Sequence, residues 1–269
     1  MRQQRKNVIS HQHNGLTIRQ DKYILNGVEL RVRLVRSKDA FCLMDPINRA
    51  YLHIEEASLL IWRAKISPGV LLAQAKALFQ GTVKYPRTRV EVKTLTIHSG
   101  VESETPDNVI LGHLPKRIII GFVKNDAFNG HRSKNPFNFR HFNINHFSLY
   151  VDSMKIPLKP MQPDFSKGNR YIDSYHTLFS GTGIHFINEG NDIYRLDYAN
   201  GYCLFSFDLP PDLSAKCQSH WNLVKHGSLR IKHRVEGTLQ QTINCIIYAE
   251  YDNVLEIDAS RQVIVYYSC

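Results

Sequence analysis

The stretch NDAFNGHRSKNPFNFRHFNINHFSLYVD, Asn125–Asp152, decides how the chain is read. It crowds Phe128, Phe137, Phe139, Phe142 and Phe147 among asparagines and a small basic cluster of Arg132, Lys134 and Arg140. Aromatic rings beside arginine and lysine make stacking platforms for single-stranded nucleic acid. The same rings set among the turn formers Asn129, Gly130, Asn135 and Pro136 describe a long loop pinned by phenyl groups. The loop reading needs no ligand, and the stretch runs on into a well-patterned strand, so the loop is preferred.

Working outward, KRIIIGFV (116–123) is a β-branched strand before the loop. After it, FSLYVDSMKIPL reads as strand, Asp152-Ser153 turn, strand, and NRYIDSYHTLFSG as a short helix closed by Gly181. Strands follow at Gly201–Leu209, Ser228–Val235, Thr242–Ile257 and Gln262–Tyr267.

In the N-terminal half, VELRVRLVR (Val28–Arg36) places Val28, Leu30, Val32 and Leu34 on one face and charges on the other, the period of a half-buried strand. Asn26-Gly27 before it is a turn signal, and further strands are expected at Ala40–Met44, Tyr51–Ile54 and Leu59–Ile66. SPGVLLAQAKALFQG then predicts a helix, with Ser67 as cap, Pro68 in the first turn and Gly81 at the end. A β-rich run, Arg87–His98, precedes a polar break at 101–115. About a dozen short strands with two short helices predict an all-β fold of antiparallel sandwiches.

The 269 residues suffice for one large all-β unit or two domains. The longest apolar run, Val70–Phe79, is broken by Gln74 and Lys76, so no spanning helix and no membrane contact are expected. MRQQRKNVISHQHNG has no apolar core of a secretion signal, which predicts synthesis inside the cell, in cytoplasm or nucleus. Cys42, Cys203, Cys217, Cys245 and Cys269 are widely spaced and lack a C-x-x-C pair; reduced, mostly buried thiols are expected. The net charge of +10 favours acidic partners, and a nucleic-acid-binding β-sandwich without catalytic activity is the alternative reading of the chain.

Chemistry leaves little trace. His131, His141 and His146 fall in the loop without metal spacing, no H-E-x-x-H occurs, and surface histidines are the plainer reading. No G-x-S-x-G is present, and FSGTGIHF lacks both the third glycine and the preceding strand of a dinucleotide loop. Glu55 with Glu56, and Asp252, Glu256 and Asp258, read as solvated strand charges. No catalytic residue, metal or cofactor is assigned, and the chain is not expected to be an enzyme.

Several stretches, in order, carry a resemblance. ASLLIWRAKISPGVLLAQAKAL, LPKRIIIGFVKNDAFNGHRSKNPFNFRHF, FSLYVDSMKIPLKPMQPDF, YHTLFSGTGIHF, GYCLFSFDLPPDLSA, HWNLVKHGSLRI and TINCIIYAEYDNVLEID together resemble the double jelly-roll capsid-like proteins of Polinton (Maverick) transposable elements and adintovirus-like viruses. The resemblance runs from about Val28 to the end. It implies a major capsid protein, with two antiparallel jelly-roll sandwiches side by side, that forms trimers and higher shell assemblies in a virion. A penton-type minor capsid protein and packaged DNA are the other partners it implies.

Matched in this way, the chain divides into a basic polar leader at 1–20, a partial first jelly roll at 21–105 and a second jelly roll at 106–269. The expectation is an N-terminally shortened family member. Phe128, Phe137, Phe139 and Phe142 become candidate anchors between subunits, and Arg2, Arg5 and Lys6 of the leader the candidate DNA-facing residues.

Overall fold

The structure is a computed structural model that describes residues 23–29, 31–166, 170–184, 190–210, 213, 215 and 226–265. The leader with Arg2, Arg5 and Lys6 lies outside them, as do Cys217 and Cys269.

The fold is built on β9 (Ile243–Ile257). Ile243, Cys245, Ile247, Ala249 and Tyr251 are buried, and the residues from Ile246 to Asp252 between them are half-buried, so one face enters the core. Its neighbour β1 (Val83–Ile97) pairs with it antiparallel from Val83↔Ile257 to Ile97↔Ile243. On the other side lies β4 (Arg117–Lys124), followed along the same flank by β10 (Val263–Val265). β7 (Leu204–Asp208) pairs with β4 and completes the sheet, in the order β1-β9-β4-β7. β4 has neighbours on both sides and is mostly buried on both faces, which explains its unbroken IIIGFV core.

The second sheet centres on β8 (His226–Val235), whose Leu229, Ile231, His233 and Val235 point inward. β2 (Ser103–Glu104) and β3 (Ile110–His113) pair with it in succession along one side. β5 (Ile144–Val151) pairs with the other side and β6 (Met154–Met161) with β5. The Asp152-Ser153 turn joins β5 to β6 as expected, with Asp152 at φ 53. The core closes where rings of the two sheets meet. Phe147 stacks on Phe205 at 4.4 Å and meets Phe122 edge-on at 6.2 Å, all three fully buried.

With β2 and β3 sharing one position, eight strand positions follow in chain order and pair as β1-β9-β4-β7 and β2/β3-β8-β5-β6. This is the jelly-roll order of two interlocked Greek keys. The division expected between residues 105 and 106 cuts through it, because β1 lies before that point and is hydrogen-bonded along the whole of β9. The polar stretch at 101–115 carries β2 and β3, the short strands by which the chain passes from one sheet into the other, which a composition shift alone does not distinguish from a domain boundary.

The strands expected within 28–66 are absent among the described residues. Alternation gives a segment one apolar face, but a strand also needs a neighbour for its N–H and C=O groups, and these residues pair with neither sheet. Asp39–Cys42 closes a helical turn, α1, instead. The helix predicted after Ser67 is α2, Pro68–Gln80. One-turn helices α3 (Asn125–Phe128) and α5 (Arg195–Ala199) flank α4 (Ile172–Ser180).

Gly181 ends α4 as predicted, for a different reason. Its φ of −75° needs no glycine, but a Cβ there would lie 2.3 Å from the carbonyl oxygen of Ser206. Glycine is required because α4 lies directly on β7, where the Ser206 N–H donates to Thr177 Oγ1 at 3.2 Å.

Candidate assembly surface

The loop between β4 and β5 leaves the sheet through α3 and turns at His131–Lys134, where Lys134 pairs with Asp126. Asn135 closes a second turn by accepting the Phe137 N–H at 2.8 Å. The chain then returns to the sandwich. Phe139 N–H donates to the Gly201 carbonyl at 2.9 Å, Cys203 N–H donates to the Phe139 carbonyl at 3.1 Å, and Arg140 N–H donates to the Phe122 carbonyl at 2.9 Å.

The four phenylalanines separate by environment. Phe139 covers Gly121, where a Cβ would come within 2.6 Å of its ring, so the bare glycine is the seat of that ring. Phe142 packs against the core and Phe128 is half-buried. Phe137 is 62% exposed and meets Phe41 edge-on at 5.8 Å.

That contact belongs to a wider docking of residues 38–50 onto the loop. Arg132 donates to the Ala50 carbonyl at 2.5 Å and lies 3.5 Å from the Asp45 carboxylate. Asp45 also accepts from the Ala50 and Arg49 N–H groups at 2.6 and 2.7 Å. These bonds, that from Ala50 foremost, hold its carboxyl below the usual range. Gly130 lets the two segments touch, since a Cβ there would be 3.2 Å from the Phe41 nitrogen.

Beyond Ala50 the chain forms no strand before α2, and both this segment and α2 carry large apolar side chains into solvent. Tyr51, Leu60, Trp62 and Phe79 are strongly exposed, Leu60 and Trp62 at 91% and 90%. Periodicity assigns Tyr51, Leu60 and Trp62 to strands and Phe79 to a helix, and does not mark this surface. The signal that could have found it is the run SLLIWRAKI itself, apolar on both faces of any strand.

Among the described residues, no group of three or more His, Cys, Asp or Glu side chains is placed to hold a metal ion. His131 is exposed at the turn, and His141 stacks on Phe165 at 4.3 Å. Cys203 and Cys245 are buried free thiols, and burial pushes Cys203 up to about 12 and raises Cys245 as well. Cys42 is exposed. Among the histidines that carry no mark in the sequence, His233 lies on the inward face of β8 and is 2% exposed. Burial drives its pKa down to about 4. No helix among the described residues is long and apolar enough to cross a membrane.

The molecule is an all-β protein with an antiparallel jelly-roll sandwich. No protein-family model matches the chain. An uncharacterized protein of Caenorhabditis elegans is 27% identical over 188 residues, which are 68% of this chain and 44% of that protein. The chain therefore spans less than half the length of that curated relative. Among solved structures, a cryo-EM structure of the Sputnik virophage aligns with a TM-score of 0.41 at 13% identity, over 70% of this chain and 39% of that one. The mavirus major capsid protein aligns with a TM-score of 0.37 at 10% identity, over 70% of this chain and 42% of that one.

Proposed function

We propose that the chain is a structural protein of capsid type, a shell building block that associates as trimers and derives from a virus-like element of the Polinton (Maverick) kind. The observation that carries this reading is the exposed apolar run from Tyr51 to Trp62 beside a sandwich whose own core is closed. A fold that has satisfied its core and still presents Leu60 and Trp62 to water has surface to bury against another chain. The jelly-roll order and the ordered sequence resemblance supply the class of assembly. In this reading Phe137 and the apolar run contact neighbouring subunits. A penton-type minor capsid protein is a second partner, and Arg2, Arg5 and Lys6 touch packaged DNA. The work is mechanical and needs no cofactor, and the finished protein resides in a virion.

Light scattering of the purified protein at low and high salt, with negative-stain images of the same peak, tests the proposal. A salt-resistant particle near three times the 31.1 kDa chain mass supports it. A monomer at every concentration overturns it.

A further inference from the structure

The outward face of the second sheet carries a row of cations. β8 turns Arg230, Lys232 and Arg234 away from the core, alternating with buried Leu229, Ile231, His233 and Val235. The register sets Tyr150 of β5 opposite Arg230, Ser148 opposite Lys232 and His146 opposite Arg234, and β6 adds Lys155 opposite Tyr150. The Arg230 guanidinium lies 5.0 Å from the centre of the Tyr150 ring. Asp107, 3.5 Å from Arg230 and itself mostly exposed, pairs with this row, and Asp152 accepts from the Ser228 N–H at its end at 2.8 Å. Burial first, and then Lys232, Arg234 and Lys155, hold the His146 pKa below its ordinary value, so the face carries a positive field.

We propose that this face, Lys155, Arg230, Lys232 and Arg234 around Tyr150, is a binding site for the phosphodiester backbone of a single-stranded nucleic acid. Alternate residues of one strand stand about 7 Å apart, which makes β8 a regular row of charges suited to a repeating polyanion. A flat sheet with an aromatic ring among cations also offers a base a stacking surface, which an acidic peptide or a lipid headgroup would leave unused. The site is distinct from the leader residues Arg2, Arg5 and Lys6 and does not depend on shell formation.

The test is fluorescence anisotropy of the full chain with labelled oligothymidylate across a salt series. A duplex of equal length, hexaglutamate, and vesicles containing phosphatidylserine serve as parallel probes. Four cations on a single strand predict a slope of log affinity against log salt of about −3, and each of Lys155→Gln, Lys232→Gln and Arg234→Gln should lower its magnitude by about 0.7. Tyr150→Leu should weaken oligothymidylate by about tenfold and leave the slope unchanged. All four side chains point outward, so melting curves should stay near wild type; any variant that melts early is replaced by Arg230→Gln. Lys84→Gln, on β1 of the other sheet, should change nothing. Equal losses in Lys84→Gln, loss of all binding when Arg2, Arg5 and Lys6 are changed to Gln, or no binding at low salt would overturn the proposal. So would equal capture of duplex, hexaglutamate or vesicles through the same residues.

Discussion

The ring of Phe41 meets the ring of Phe137 edge-on at 5.8 Å, joining the segment before the exposed apolar run to the tip of the loop between β4 and β5. One partner of this pair is mostly exposed, so it fastens a strap to a finished sandwich and adds little to the core. Phe137→Ala is therefore expected to cost about 1 kcal/mol of stability and to open residues 38–50 to protease. Phe139→Ala, which empties the seat over Gly121, should cost more, about 3 kcal/mol. Urea unfolding with limited proteolysis separates the two effects. If Phe137 also anchors subunits, its variant loses the trimer in light scattering while the sandwich stays folded.

Gly181→Ala tests the close approach of α4 to β7. The added methyl would sit 2.3 Å from a backbone oxygen, and Arg117 fixes the same turn by donating to the Gly181 and Thr182 carbonyls at 3.0 and 3.2 Å. Backbone cannot rotate away as a side chain can, so α4 must lift from the sheet, at a cost of about 2 kcal/mol. A melt equal to wild type would show that the helix is not seated so tightly. Gly69→Ala, with nothing within 4 Å of the new methyl, is the control.

Thiol labelling should separate the cysteines by burial. With maleimide on the native protein and label sites mapped by peptide mass, Cys42 is expected to react first of the three described cysteines. Cys203 and Cys245 should react only in denaturant, because burial keeps both as thiols and the thiolate is the nucleophile. Prompt native labelling of Cys245 would contradict its place on the inward face of β9.

Local features of this fold are legible in the sequence, and long-range ones are not. Ser67-Pro68 and Gly81 bracket α2, and Asp152-Ser153 marks the β5–β6 turn, because capping and turn chemistry act within a few residues. The alternation of Val28–Arg36 is as regular as that of β8, yet only β8 has neighbours to pair with. Pairing of β1 with β9 joins residues far apart in the chain, and periodicity carries no record of it. The same gap hid the exposed apolar surface and the burial of His233, since both depend on which faces the sheets cover. Phe137 and Phe139 read alike in sequence and stand in different surroundings for this reason.

His233 makes stability depend on acid. Its ring faces the core 5.7 Å from that of Phe122, opposite Glu104 of β2 in the register, and it stays neutral down to about pH 4. In the unfolded chain the same imidazole takes up a proton near pH 6.5. The unfolded state therefore binds more protons between these values. The stability that His233 contributes is complete above about pH 6.5 and is lost as pH falls toward about 4, a change of about 3 kcal/mol. The half-buried His113, His141 and His146 are shifted in the same direction and add smaller losses in the same window. His233→Phe, which fills the site with a ring that takes up no proton, should remove the largest part of the acid sensitivity. Urea unfolding of both proteins from pH 7 to pH 4 measures this as the difference between two slopes. Parallel slopes would mean that His233 is reached by water, and the inward face of β8 would have to be redrawn.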